Sequence, residues 1–236
     1  MVLGALTYGP FVLKRPLMSE DTRATLDALH LMGASVRGSA ASVNIHCDEL
    51  SQAAAVIDAR NSGTTMRLMT GVASLLPSTT TLTGDGSLVK RPMAPLADAL
   101  TQLGAKVSYV GQAGRPPLKV TGPIRGAETV IAGDVSSQFV SSLLIACTQK
   151  PDDTFIRIGG QVISRPYIDM TLDALRAFGG DARESKEGFS VEGGQRLERA
   201  EYTVPGDYSS AAFVLAAGAI TSGDVTVKNL DSGSPQ

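Results

Sequence analysis

Three segments of the chain repeat one pattern, and their spacing limits the fold more than any other feature. They are TLDALHLMGASV from Thr25, LADALTQLGAKV from Leu96 and TLDALRAFGGDA from Thr171. Each places Asp-Ala-Leu on a helix and then reaches a glycine (Gly33, Gly104 or Gly179), where a left-handed residue can close the last turn. The anchor residues Asp27, Asp98 and Asp173 stand 71 and 75 positions apart. That period is too long for a solenoid and suits a supersecondary unit of two helices and several strands.

The remainder of the unit repeats more loosely. SVRGSAASVNIHC and AKVSYVGQAGRPPLKVTG alternate in short runs around turn residues and predict hairpins. A hydroxyl-rich helix start follows in each copy, NSGTTMRLMTGVASLL in one and VSSQFVSSLLIAC in the other. Next come the strands TTTLTGD and DTFIRIGG, and then an Arg-Pro pair that leads into the next helix. The pairs are Arg15-Pro16, Arg91-Pro92 and Arg165-Pro166, with Arg15 out of step, 12 residues before its aspartate against 7 and 8 for the others. PGDYSSAAFVLAAGAITSGDVTVKNL, from Pro205, reads as the opening of a fourth copy, a capped helix followed by a strand. MVLGALTYG reads as the second half of a first helix, so the expectation is a piece of a longer protein.

Composition closes off several functions. A net charge of −2 argues against a nucleic-acid surface, which needs a basic excess. No apolar run approaches the roughly 18 residues of a membrane span, and the apolar opening lacks the basic start and cleavage site of a signal peptide. Cys47 and Cys147 form no metal-ligand pattern, and His30 and His46 are isolated, so neither a metal nor a cofactor is expected. A cytoplasmic protein without disulfides is the expectation.

The helix starts carry the chemistry. First-turn amides lack internal partners and lie at the positive end of the helix dipole. One Ser or Asn there is an ordinary cap. Ser136-Ser137-Gln138 offers more acceptors than one cap uses, and two hydroxyls beside free amides make a phosphate cradle. Arg91, in GDGSLVKRPM, is a cation ahead of a helix start and asks for an anion; arginine suits bidentate binding of carboxylate or phosphate. Ser164 and Tyr167, in VISRPYIDM, occupy the matching place in the next repeat, so the two elements are expected to face one cleft. In RNSGTTMRLMTG, Gly63 lets a ligand approach the backbone. Asn61, Ser62, Thr64 and Thr65 cap and line that start, and Arg67 is either a structural arginine or a ligand contact.

NSGTTMR, GDGSLVKRPM, SSQF, SRPYIDMTL and PGDYSSAAFVLAA, in this order, resemble the 5-enolpyruvylshikimate-3-phosphate synthase family over essentially the whole chain. The resemblance implies an α+β fold of three pseudo-symmetric β-α-β-α-β-β units, an inside-out α/β barrel with inward helices. It implies one such domain over residues 1–200, with units at about 1–60, 61–131 and 132–200, and the start of a second domain over 201–236. It places Ser136, Ser137, Gln138, Ser164 and Tyr167 against shikimate 3-phosphate, and Gly63, Arg91 and Gln138 against phosphoenolpyruvate. Thr64 and Arg67 are further candidates. The implied reaction is transfer of the enolpyruvyl group to the 5-hydroxyl of shikimate 3-phosphate with release of phosphate.

The family's N-terminal Lys-Ser pair and its proton-transferring acids and lysine have no counterpart between Met1 and Gln236. This polypeptide alone is therefore expected to lack transferase activity, its missing partner being the second domain of the same enzyme. One alternative is the UDP-N-acetylglucosamine enolpyruvyl transferase family, which usually carries a reactive cysteine where this chain reads KRPMAP. The other is a non-catalytic sugar-phosphate-binding domain, against which the intact polar set argues.

Overall fold

The computed structural model describes residues 1–51, 56–160 and 162–236. Each repeat appears as two helices and a four-stranded sheet. The second unit runs β4 (Val56–Asp58), α3 (Gly63–Ala73), β5 (Thr79–Thr83), α4 (Ala94–Gln102), β6 (Lys106–Tyr109) and β7 (Leu118–Thr121). The third runs β8 (Glu128–Ala132), α5 (Ser137–Gln149), β9 (Thr154–Gly159), α6 (Arg165–Ala177), β10 (Arg183–Ser185) and β11 (Gly188–Val191). Their sheets share one order, β4-β5-β7-β6 and β8-β9-β11-β10, a parallel pair followed by antiparallel strands.

The first unit obeys the same plan with one substitution. Its chain supplies α1 (Val2–Leu6), β1 (Phe11–Lys14), α2 (Glu20–Leu31), β2 (Ser35–Gly38) and β3 (Ser42–His46). The outer parallel strand comes from far along the chain, as β12 (Glu201–Thr203) pairs with β1, Val12 opposite Glu201. The strand lies just past the expected boundary at 200 and completes the first sheet. The strand expected after α7 (Tyr208–Thr221) is not formed: residues 224–230 are irregular. In the complete units that strand pairs with the one preceding the helix, whereas β12 sits beside β1.

Local chemistry sets the ends of these elements. Gly33, Gly104 and Gly179 follow α2, α4 and α6 with φ of +96°, +99° and +82°, a region that penalises a β-carbon. Ser19 starts α2 with a capping box shared with Thr22. Pro95 and Pro166 occupy the first turns of α4 and α6, where no amide donor is lost. The hairpins β2-β3 and β6-β7 form as the alternation predicts.

The three sheets are separate and open, so the barrel is not a closed ring of strands. The helices that open each unit lie inside. α5 is buried along nearly its whole length, from Phe139 to Thr148, and α3 from Met66 to Ala73 except at its flanks. These two helices touch closely: a β-carbon on Gly71 would fall on the Ser142 hydroxyl and lie 2.9 Å from the Ser142 carbonyl oxygen. Ser142 in turn donates to the carbonyl of Arg67 at 2.7 Å. The N-termini of α3 and α5 are thereby held side by side.

Candidate functional site

At the mouth of α3, Ser62 accepts from the Thr65 amide at 3.1 Å. The Thr65 hydroxyl is surrounded by the Ser62 and Thr25 hydroxyls and the Asp21 carbonyl, all within hydrogen-bond distance. Ser62 is a cap, and Thr65 ties α3 to α2. Gly63 is different, because the place where its β-carbon would stand is taken by arginine: Nη1 of Arg91 at 2.8 Å and Nη1 of Arg67 at 3.0 Å. Two guanidiniums thus reach one point above a helix N-terminus, which adds its own partial positive charge.

Among the described residues neither arginine makes an ion pair. Carboxamides hold them instead. Arg91 donates through Nη2 to Oδ1 of Asn61 at 3.2 Å, and Arg67 donates through Nη1 to Oε1 of Gln138 at 2.5 Å. The Arg67 guanidinium also lies over the Phe139 ring, 5.3 Å from its centre, and its buried Nε has no hydrogen-bond partner. Burial first, and the neighbouring Arg91 charge second, push the Arg67 pKa below its ordinary value, with Tyr167 opposing. A guanidinium stays charged through such a shift. The result is concentrated positive charge that no carboxylate touches among the described residues, Asp85 standing one amide away behind Asn61.

The mouths of α5 and α6 supply neutral groups. Gln138 reaches back to α3 from both ends of its amide, as Nε2 donates to the Thr64 hydroxyl at 3.0 Å. Ser136 caps α5 with a long 3.3 Å bond from the Gln138 amide, and the Ser137 hydroxyl makes no hydrogen bond among the described residues. Ser164 opens α6 with φ +55° and ψ +50°, a left-handed backbone unusual outside glycine. Its exposed hydroxyl does no capping, and its carbonyl accepts from the Tyr167 amide. Arg165, the counterpart of Arg91 in the repeat, is turned to structure: it pairs with Asp169 at 2.7 Å and with Glu184 at 2.5 Å.

The structure therefore brings Gly63, Thr64, Arg67, Arg91 and Gln138 into direct contact, with Tyr167 near enough to act on the charge of Arg67. Ser136 and Ser137 stand at the same mouth as Gln138, while Ser164 joins the group only through α6. Reasoning from residue types missed the part played by Asn61, which was read as a cap and holds Arg91 instead. Two hollows of about 630 and 670 Å3 occur elsewhere, one lined by Asp153, Asp181 and Arg183 and the other by Tyr8, Cys47 and Gln149. They lie towards the C-terminal end of α5, a helix length of roughly 20 Å from Gln138 at 1.5 Å per residue. We place the site by charge and hydrogen bonding, because concavity alone explains no chemistry. Among the described residues no helix is long and apolar enough to cross a membrane, and no cluster of His, Cys, Asp or Glu could hold a metal ion.

Three βαβαββ units around inward helices, with polar helix mouths opening on one face, define an enolpyruvyl transferase-like fold. A solved EPSP synthase from Acinetobacter baumannii superposes with a TM-score of 0.80 at 33% identity, covering 93% of this chain and 49% of that one. The sequence matches the family description EPSP synthase (3-phosphoshikimate 1-carboxyvinyltransferase) over residues 1–236, and the chain belongs to that family. The 3-phosphoshikimate 1-carboxyvinyltransferase of Methanocorpusculum labreanum is 42% identical over all of this chain and 56% of its own length. That of Methanothermobacter thermautotrophicus is 43% identical with the same coverage. The chain thus spans just over half the length of these curated relatives.

Proposed function

We propose that this chain forms one half of the clamp of an enzyme that transfers the enolpyruvyl group of phosphoenolpyruvate to the 5-hydroxyl of shikimate 3-phosphate. The observation that carries the reading is the Arg67–Arg91 pair above Gly63, held by amides and left without a carboxylate. A doubly charged acceptor such as a phosphate ester meets its requirement for charge. Arg91 and the Gly63 backbone face phosphoenolpyruvate. Ser136, Ser137, Ser164 and Tyr167 face shikimate 3-phosphate, and Gln138 stands between the two ligands. Thr64 and Arg67 orient Gln138.

In the reaction the 5-hydroxyl gives up its proton as its oxygen bonds to C2 of phosphoenolpyruvate, and the methylene carbon takes a proton as the double bond opens. Loss of a proton from C3 of the tetrahedral adduct then expels phosphate and restores the double bond, now as an enol ether. This face offers preorganised donors for developing negative charge, and no acid or base contacts the guanidinium pair. The proton-transferring groups are assigned to a second domain, as the greater length of the relatives allows. The division into a three-unit domain over 1–200 and the start of that second domain over 201–236, and a cytoplasmic location, belong to the same proposal.

Isothermal titration with shikimate 3-phosphate tests the reading. Weak binding that disappears in Ser137→Ala and Gln138→Ala is expected, with no phosphate release from added phosphoenolpyruvate. Binding indifferent to both substitutions would overturn the site. Robust turnover by the chain alone would overturn its assignment as a half.

A further inference from the structure

We propose that Asp85 is a positioning residue for Arg91, acting through the Asn61 amide. This rests on the reading of Arg91 as an anion contact, and the experiment below separates failure of the one from failure of the other.

The geometry is specific to a carboxylate. Oδ1 of Asp85 accepts from the amides of Ser87 at 2.9 Å and Leu88 at 2.8 Å, fastening the 3-10 turn Leu88–Lys90 that leads into Arg91. Oδ2 accepts from Nδ2 of Asn61 at 2.6 Å. The other end of that amide, Oδ1, accepts from Arg91. A carboxylate only accepts and a guanidinium only donates, so the Asn61 amide has one permitted orientation. The two loops are also joined by backbone, as the Asp85 amide donates to the Arg60 carbonyl at 2.7 Å. That approach depends on Gly84, whose β-carbon would stand 2.6 Å from the same carbonyl oxygen. One aspartate thus fixes both the backbone that delivers Arg91 and the partner that aims its head.

The amide has a second consequence. Asn61 carries no net charge, so Arg91 is held without a carboxylate in direct contact, the Asp85 charge staying behind the amide, whereas Arg165 at the corresponding place in the next unit is held by two carboxylates. Asp85 is exposed, so its hold comes from the number of bonds and not from a low dielectric. Those bonds, from the Leu88 amide first and the Asn61 amide next, keep its pKa below the ordinary carboxylate value.

Asp85→Asn separates the two functions of the residue. A carboxamide at position 85 keeps an oxygen for the Ser87 and Leu88 amides but presents a donor to the donor end of Asn61. If Asn61 flips to accept it, a donor then faces Arg91. The double variant Asn61→Asp/Asp85→Asn restores acceptor to donor at both contacts, but places a carboxylate on Arg91. The measurement is the side-chain Nε–Hε resonance of Arg91, assigned by its loss in Arg91→Lys, followed during titration with phosphoenolpyruvate.

We expect Asp85→Asn to leave the thermal midpoint unchanged, to shift and broaden the Arg91 resonance, and to weaken binding about tenfold, in line with loss of a hydrogen bond to a charged group. In the double variant the resonance sharpens again while binding stays weak. A wild-type Arg91 resonance in Asp85→Asn overturns the proposal whether or not the ligand binds. So does a wild-type affinity in Asp85→Asn where Arg91→Lys loses binding. Absence of binding by the wild-type chain, with the resonance pattern as expected, leaves the positioning role standing and counts against the anion reading.

Discussion

Helices α5 and α7 start alike and end in opposite surroundings. Both carry serine in the first turn and continue as nearly uninterrupted apolar runs, SQFVSSLLIACTQ and YSSAAFVLAAGAIT. α5 is enclosed on all sides. In α7 only Ala211 and Gly218 are buried, while Phe213 and Ile220 are 80% and 84% exposed. A helix that is apolar all round announces that it will be covered but not by what. The mouths differ as well. Asp207 caps α7 with its own carboxylate, accepting from the Ser209 and Ser210 amides, whereas the first turns of α3 and α5 contain no acidic residue. A helix end that carries its own anion has little left for a ligand.

The sharpest way to break this contrast is to truncate one aromatic in each helix. Phe139→Ala should cost about 3–5 kcal/mol, as full removal of a buried ring does. Phe213→Ala should stay within about 0.5 kcal/mol, typical of an exposed position. Urea denaturation followed by circular dichroism reads both, and equal losses would mean that α7 is covered in solution.

Helix glycines give a smaller difference. Gly71→Ala pushes α3 against the Ser142 backbone and should cost about 1–3 kcal/mol, the range for overpacking. At Gly218 the added methyl meets the Val225 side chain, with the Gly223 carbonyl oxygen at an ordinary 3.6 Å, so a side chain and not a helix backbone has to shift. Gly218→Ala should be neutral or gain up to about 1 kcal/mol from helix propensity. The same denaturation curves decide it.

At the mouths, Gly63→Ala puts a methyl where Arg67 and Arg91 now lie. We expect about a tenfold loss of phosphoenolpyruvate affinity, the scale of one charged hydrogen bond, with an unchanged thermal midpoint. An unaffected titration would remove the arginine pair from the site.

The smallest effect belongs to Asp207, where Asp207→Ala should weaken the first turn of α7 by about 1 kcal/mol, visible as faster amide exchange there. Its pKa is held below 3.8, chiefly by the Ser210 hydroxyl and then the Gln236 amide. The ionised form is therefore the one that folding favours. This contribution is fully present above pH 3.8 and is lost as pH falls through the lower folded value. Carbon chemical shifts across that range should show α7 fraying while α5, capped by a neutral serine, does not change.

Much of the body of the fold was legible because it is local. The Asp-Ala-Leu helices end on glycines at positive φ, and alternating runs become hairpins, since each depends on residues within a few positions of one another. The pairing of β12 with β1 was not legible, because the three residues Glu201–Thr203 carry no pattern that names a partner 189 positions away. In the site, Arg91 and Gln138 could be singled out by type. That a carboxamide would stand between each arginine and the rest of the chain could not, since the Arg67–Gln138 contact spans 71 positions and Asn61 looks like any cap. Lys150 was overlooked altogether. It is 1% exposed, its ammonium donating to the Asp152 and Asp153 carbonyls beyond the end of α5.

The borrowed strand of the first sheet sets an order for synthesis. A ribosome releases every described strand of the second and third sheets before it releases Glu201–Thr203, so of the parallel pairs described β1 waits longest for its neighbour. Until then the Val12 edge stays open to whatever strand comes near, and the nascent chain is prone to mispairing there.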